Sequence, residues 1–212
     1  MQLYVFPPST RSFKVIAVAA QLGLDCEMSL VDLSKGAQLA EPYGALNPNR
    51  KAPVLVDGDL KLWESNAIVD YLAALRPEAG LSSEDPRARA DIARWQYWEA
   101  AHWDPGCTAL IFERVVKQNL GLGDPDPAAI ARGEKEFARC AAVLDAHLRD
   151  RRFLTGDRLT TADFVVGADL SMTDAAALPV EPFTHVKRWY AELSALPAWQ
   201  QAGKAAAEFF NG

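Results

Sequence analysis

Residues 54–69 read VLVDGDLKLWESNAIV, and this stretch decides the fold of the first third of the chain. Val54-Leu55-Val56 and Leu60-Lys61-Leu62 are short apolar runs on either side of Asp57-Gly58-Asp59. Asp-Gly between such runs signals a hairpin, because glycine supplies the positive φ that a tight turn needs. Ser65 then stands where a helix N-cap belongs, ahead of Ile68, Val69 and Leu72 at helical spacing. The stretch reads strand, strand, helix. Towards the N-terminus, Ser34 to Asn49 is a polar link containing Gly, Asn and Pro. Before it, Cys26, Met28 and Leu30 alternate with Glu27, Ser29 and Val31, which predicts a strand with one mostly polar face. Leu3-Tyr4-Val5-Phe6, halted by Pro7-Pro8, reads as a buried strand. Between these strands Ser12 is placed to cap a helix carrying Phe13, Val15, Ile16, Ala19 and Leu22, with Gly23 as its stop. Strand, helix and strand so close together predict a right-handed βαβ unit. The full order, β-α-β, link, β-β-α, fits an α/β domain over residues 1–77 built on a mixed four-strand sheet covered by helices.

Beyond residue 77 the strand signals nearly vanish. Residues 78–86 read as a linker and 87–212 as an all-helical C-terminal domain. Ile92, Trp95, Trp98 (or Glu99) and His102 keep helical spacing up to Asp104-Pro105-Gly106, where a break or kink is expected. A Gly/Asp/Pro loop runs from Asn119 to Asp126. Asp126-Pro127 then supplies an N-cap and a first-turn proline before Ile130, Phe137, Ala141, Leu144 and Leu148. Thr160-Thr161-Ala162-Asp163 has the form of a capping box, with Leu159 and Phe164 at the staple positions. Phe183-Thr184 opens a further helix with Val186, Trp189, Tyr190 and Leu193 on its apolar side.

Composition excludes several function classes. Of 212 residues 50% are hydrophobic and 24% charged, enough to bury a core. The net charge is −6 with no Lys/Arg run, so no nucleic-acid partner is expected. Cys26, Cys107 and Cys140 are too scattered for a disulfide framework and form no C-x-x-C. The N-terminus lacks a charged segment leading into an apolar one. No run approaches the roughly 18 apolar residues of a membrane span. A cytoplasmic protein without a membrane partner is the expectation. His102, His147 and His185 lack metal spacing, so no metal is expected, and a lone histidine on a Trp-rich helix reads as a packing or surface residue. Gly121-Leu122-Gly123 runs into Asp-Pro-Asp and is no dinucleotide loop; P-loop and G-x-S-x-G motifs are absent.

Three segments of the first domain are placed to meet at one end of its sheet: Pro7 to Ser12, Asn49 to Val54, and Trp63 to Asn66. Each alone is an ordinary turn, cap or strand start. Together, P-P-S-T-R-S-F-K-V after the first strand, N-P-N-R-K-A-P-V-L, the W-E-S-N-A-I turn and T-T-A-D-F in the helical half resemble the glutathione S-transferase superfamily along essentially the whole chain. The loop serine is similar to the serine-type, phi- and theta-like members. The resemblance implies a thioredoxin-like domain that binds glutathione as co-substrate, a helical domain that supplies the wall for a small apolar electrophile, and a homodimer.

It also implies roles. Ser65 would offer its hydroxyl and N–H to the γ-glutamyl carboxylate, where the helix dipole favours an anion. Glu64 would accept from the ammonium of the same residue, and Lys51 would meet the glycine carboxylate. Ala52, before a cis Pro53, would pair with the cysteinyl backbone. Gln38, where many relatives carry histidine, can still donate to a carboxylate without adding charge. Ser9 would donate to the sulfur and favour the thiolate. Counting back from Lys14-Val15, phi-like spacing selects Ser9 and theta-like spacing Thr10; Ser9 is preferred, with Ser12 read as the cap. No cysteine lies between Pro7 and Ser12, which argues against thiol–disulfide exchange, and Cys26 reads as a small buried hydrophobe. Trp98, His102, Trp103 and Phe112 are candidates for the second-substrate wall, although an aromatic stripe at helical spacing is ordinarily core. Asp163 reads as structural. Two other functions fit the same fold: a non-catalytic interaction or chaperone-type module, and a specialised glutathione-dependent dehalogenase, isomerase or etherase.

Overall fold

The computed structural model describes residues 1–211, which form two compact units. The first takes residues 1–82 and the chain from Leu196 onward; the second is Ser83–Ala195. In the first unit β1 (Gln2–Val5), α1 (Thr10–Gln21), β2 (Glu27–Leu30), the short α2 (Glu41–Gly44), β3 (Val54–Asp57), β4 (Leu60–Trp63) and α3 (Ser65–Ala74) follow in order. The sheet is four-stranded in the order β2-β1-β3-β4, with β1 parallel to β2 and the other neighbours antiparallel. The βαβ unit and the hairpin are therefore as expected. Asp57 pairs with Leu60, which leaves Gly58 and Asp59 as the turn, with Gly58 at φ +59°.

Alternation along the strands divides the core. Tyr4, Val54 and Val56 pack with Val31 and Leu33, just after β2, and with Tyr43 and Leu46 of the link. Leu3, Val5 and Leu55 point the other way and are buried; α3 packs on β3 and β4, and α1 packs on α3. The edge strand β2 departs from its expected pattern. Met28 and Leu30 are 50% and 57% exposed, whereas Val31, assigned to the polar side, is buried. An edge strand meets one strand only, so its alternation does not by itself name the buried face.

Two helix starts fall off the expected residue. The Pro7-Pro8 turn closes with Ser9 N–H on the Phe6 carbonyl (2.9 Å), and Phe13 N–H already bonds the Ser9 carbonyl (2.8 Å). The N-cap position of α1 is thus Ser9, and Ser12 is buried with its Oγ accepting from Phe6 N–H at 3.1 Å. Ser65 is likewise the first residue of α3, and Glu64 holds the cap position.

The second unit contains α4 (Pro86–Trp98), α5 (Asp104–Ile111), α6 (Lys117–Leu120), α7 (Pro127–Leu148), α8 (Thr161–Gly167), α9 (Thr173–Ala176) and α10 (Thr184–Ser194). Of the break or kink expected at Asp104-Pro105-Gly106, there is no break: a wide π turn over Glu99–Trp103 precedes it and the helix continues. A second π turn, Phe112–Val116, follows α5. Pro105 sits in the first turn of α5, where its missing N–H falls against the π turn and the helical path continues. Leu110, Phe137, Leu144, Leu148, Phe164 and Trp189 form the buried interior. Gly106 and Gly133 let α5 and α7 approach: a Cβ on Gly106 would lie 3.1 Å from the Phe137 backbone nitrogen. Asp126 caps α7 through Ala128 N–H at 2.8 Å.

The terminal helix α11 (Pro197–Asn211), expected within the helical domain, belongs by its contacts to the first unit. Its Trp199 ring meets Phe13 of α1 edge to face with centroids 4.9 Å apart, and Ala198, Trp199 and Ala202 are buried. The apolar side of α1 requires this cover. No described helix is long and apolar enough to cross a membrane.

Candidate active site

Strand register assembles the site. Tyr4 pairs with Val54, Val54 with Trp63, and Val5 with Leu30. The ends of β1, β2 and β4 and the start of β3 therefore lie at one end of the sheet. From that end leave the loop to Ser9 and Thr10, the segment to Gln38, the run Lys51-Ala52-Pro53 and the turn Glu64-Ser65. All the expected glutathione residues thus emanate from one sheet end of one unit. Helices α1 and α3 both start there, and neither has an acidic residue in its first turn. Neither cap position makes a side-chain capping bond, and the positive end of a helix favours an anion.

The hydroxyls are not equivalent. Thr10 is 6% exposed, and Ser12 is committed to Phe6 N–H. Ser9 is half-buried and makes no side-chain capping bond, although it occupies the cap position. On α3, Ser65 is buried and Glu64 is exposed, with Glu64 at φ +71°, ψ 113°. Such a backbone is uncommon for a residue with a side chain and clusters at functional sites.

Lys51 presents an exposed side chain on a fixed backbone. Its carbonyl accepts from Tyr43 Oη (2.8 Å) and Asn47 Nδ2 (2.7 Å), and the Ala52–Pro53 bond that follows is cis. Burial pushes the Tyr43 hydroxyl up to about 12, so it remains a donor at neutral pH. Gln38 is half-buried; its Oε1 is buried and has no hydrogen-bond partner. Tyr43 and Asn47 escaped the sequence reading because their work is tertiary. The only sequence signal was their place in a polar link.

The aromatic candidates of the second unit separate. Trp103 is fully buried, donates its indole N–H to the Val166 carbonyl at 3.0 Å and packs on Phe137, so its expectation as a substrate contact is corrected to core. Trp98 is half-buried and stacks on Trp103 at 6.0 Å. Phe112 is partly exposed beneath Lys117 Nζ, and His102 is exposed in a groove with Pro105, Arg132 and Glu136. Glu99, Asp104 and Asp169 bring carboxylate oxygens within 4.8 Å of one another inside this unit. Burial, with these three carboxylates adding to it, pushes the Cys107 thiol well up; burial also raises Cys26 and Cys140. None of the three is poised as a nucleophile.

A mixed four-strand sheet in the order β2-β1-β3-β4, covered by helices and followed by an all-helical unit, defines a thioredoxin-like protein. A family model described as glutathione S-transferase, N-terminal domain, matches residues 1–74, and one described as glutathione S-transferase, C-terminal domain, matches residues 127–192. A glutathione S-transferase from Hyoscyamus muticus is 34% identical over 206 residues, covering 95% of this chain and 97% of that protein. The structure of glutathione transferase F7 from Populus trichocarpa superposes with a TM-score of 0.89 at 27% identity, covering 97% of this chain and 98% of that one. A theta class glutathione S-transferase from Xanthomonas axonopodis pv. citri, solved with glutathione bound, gives 0.86 at 30% identity over 95% of each chain. The chain belongs to the glutathione S-transferase family, in its serine-type, phi- and theta-like group, and is an enzyme with glutathione as co-substrate.

Proposed function

We propose that this transferase holds glutathione at the sheet end of its first unit and ionises the thiol with the Ser9 hydroxyl. The supporting observation is that Ser9 occupies a helix N-cap without using its side chain to cap. A free thiol near pKa 8.5 is a few per cent ionised at pH 7. A shift of about two units makes it mainly thiolate, which corresponds to roughly 2.7 kcal/mol. A hydroxyl donating to a charged acceptor contributes about 1.5–3 kcal/mol, and the α1 N-terminus adds to it. The proton leaves to solvent, the sulfur attacks the electrophilic carbon, and the leaving group departs with its electron pair.

Other residues hold the tripeptide in this reading. Ser65 and the α3 N-terminus receive the γ-glutamyl carboxylate, and Glu64 its ammonium. The Ala52 backbone pairs with the cysteinyl residue. Lys51 meets the glycine carboxylate, and Gln38 offers its N–H₂ to that carboxylate and its unpartnered oxygen to the adjacent N–H. Small apolar electrophiles and a homodimeric assembly complete the reading.

Turnover of a generic aryl halide tests it. Ser9→Ala should lose roughly 25-fold in kcat at pH 7, the ratio of thiolate fractions for a thiol near 6.5 and one near 8.5, while glutathione still binds. Thr10→Val should stay within about threefold, since a buried hydroxyl that touches no substrate contributes little to kcat. Full activity in Ser9→Ala with loss in Thr10→Val would transfer the role to Thr10. A substrate profile separates general conjugation from dehalogenation, isomerisation or ether cleavage.

A further inference from the structure

Arg50 directly precedes Lys51 and sits at φ +53°, a backbone that glycine adopts freely and arginine rarely. Its N–H bonds the Asn47 carbonyl at 2.9 Å. Its side chain reaches back across the link. Nη1 donates to the carbonyls of Leu39 and Ala40, and Nη2 pairs with the Glu41 carboxylate at 2.8 Å. The guanidinium lies over Gly44, where an added Cβ would stand 2.8 Å from Nη2 and 2.9 Å from Cζ. These acceptors immediately follow Gln38. Apolar packing holds that turn weakly: Leu39 is 64% exposed, and Ala37, Ala40 and Glu41 are exposed as well. Besides the turn's own backbone hydrogen bonds, the polar tie to Arg50 is the side-chain restraint that reaches it from the Lys51 run.

One residue therefore joins, through its backbone, the run that carries Lys51 and, through its guanidinium, the turn that carries Gln38. We propose that Arg50 is a positioning residue that holds Gln38 and Lys51 together for the glycine end of glutathione. The proposal rests on the reading of those two side chains as glutathione ligands.

The test uses the whole chain, with kcat and KM for glutathione and amide exchange over residues 36–46. Arg50→Gly should raise KM about tenfold, a loss typical of one hydrogen bond to a charged group, with kcat unchanged. Exchange over the Gln38 turn should quicken, and Arg50→Lys should recover part of the KM. Gly44→Ala, which must push the guanidinium aside, should reproduce the rise; added to Arg50→Gly it should do nothing further. Additive effects of the two, or an unchanged KM in Arg50→Gly while Gln38→Ala raises it, would overturn the proposal and leave the ligand reading standing. An unchanged KM in both Gln38→Ala and Lys51→Ala would remove the ligand reading and the proposal with it.

Discussion

Helix α8 begins at Thr160 and closes on Asp163, whereas α1 and α3 begin at Ser9 and at Glu64-Ser65. The residue types are nearly the same, yet the polar atoms are used differently. Asp163 is buried and accepts from Thr160 N–H (2.9 Å), Thr160 Oγ1 (3.1 Å), Leu154 N–H (2.9 Å) and Trp189 Nε1 (3.0 Å). Burial pushes its carboxyl up, and these donors pull against that push. Everything it offers is turned inward. Neither Ser9 nor Glu64 makes a side-chain capping bond, and Glu64 is held at positive φ. A helix start that satisfies itself stabilises the fold, and one left open is ready for a ligand.

Asp163→Ala should break this contrast hardest, with a loss of about 3–5 kcal/mol in denaturant unfolding, because four buried donors lose their acceptor. Turnover per folded molecule should persist. Ser9→Ala should do the reverse: stability within about 0.5 kcal/mol and turnover at pH 7 down roughly 25-fold. Next, Ser65→Ala or Lys51→Ala should raise KM for glutathione roughly tenfold, seen in initial rates at fixed electrophile. Smallest at neutral pH is Tyr43→Phe, about 0.5–1.5 kcal/mol for the lost bond to the Lys51 carbonyl. Burial pushes the folded Tyr43 hydroxyl up to about 12 from the ordinary 10.0, so the wild type should lose stability as pH rises through this interval. Urea midpoints across it should fall less steeply in Tyr43→Phe.

What the sequence made legible was local. Asp57-Gly58 named the hairpin, Asp126-Pro127 the start of α7, and Thr160 to Asp163 the capping box, because each signal acts within a few residues. That three motif segments meet at one sheet end followed from their places along the strands. Harder were features decided by a single backbone angle or by distant packing. Ser12 and Ser65 each stood away from the true cap, since the Pro7-Pro8 turn and the Glu64 φ choose where helical geometry begins. Pro105 left a break and a kink equally open, because a π turn leaves no mark in composition. Trp103 carried the same helical spacing as a substrate wall, and only its burial assigns it to the core. The return of α11 to the first unit and the reach of Arg50 across the link are tertiary facts that no window of sequence contains.

The most direct measurement is a pH titration of thiolate absorbance for glutathione bound to the wild type and to Ser9→Ala. The account predicts a bound thiol about two units below its free value in the wild type and close to that free value in Ser9→Ala. A bound thiol that titrates identically in both proteins would contradict it.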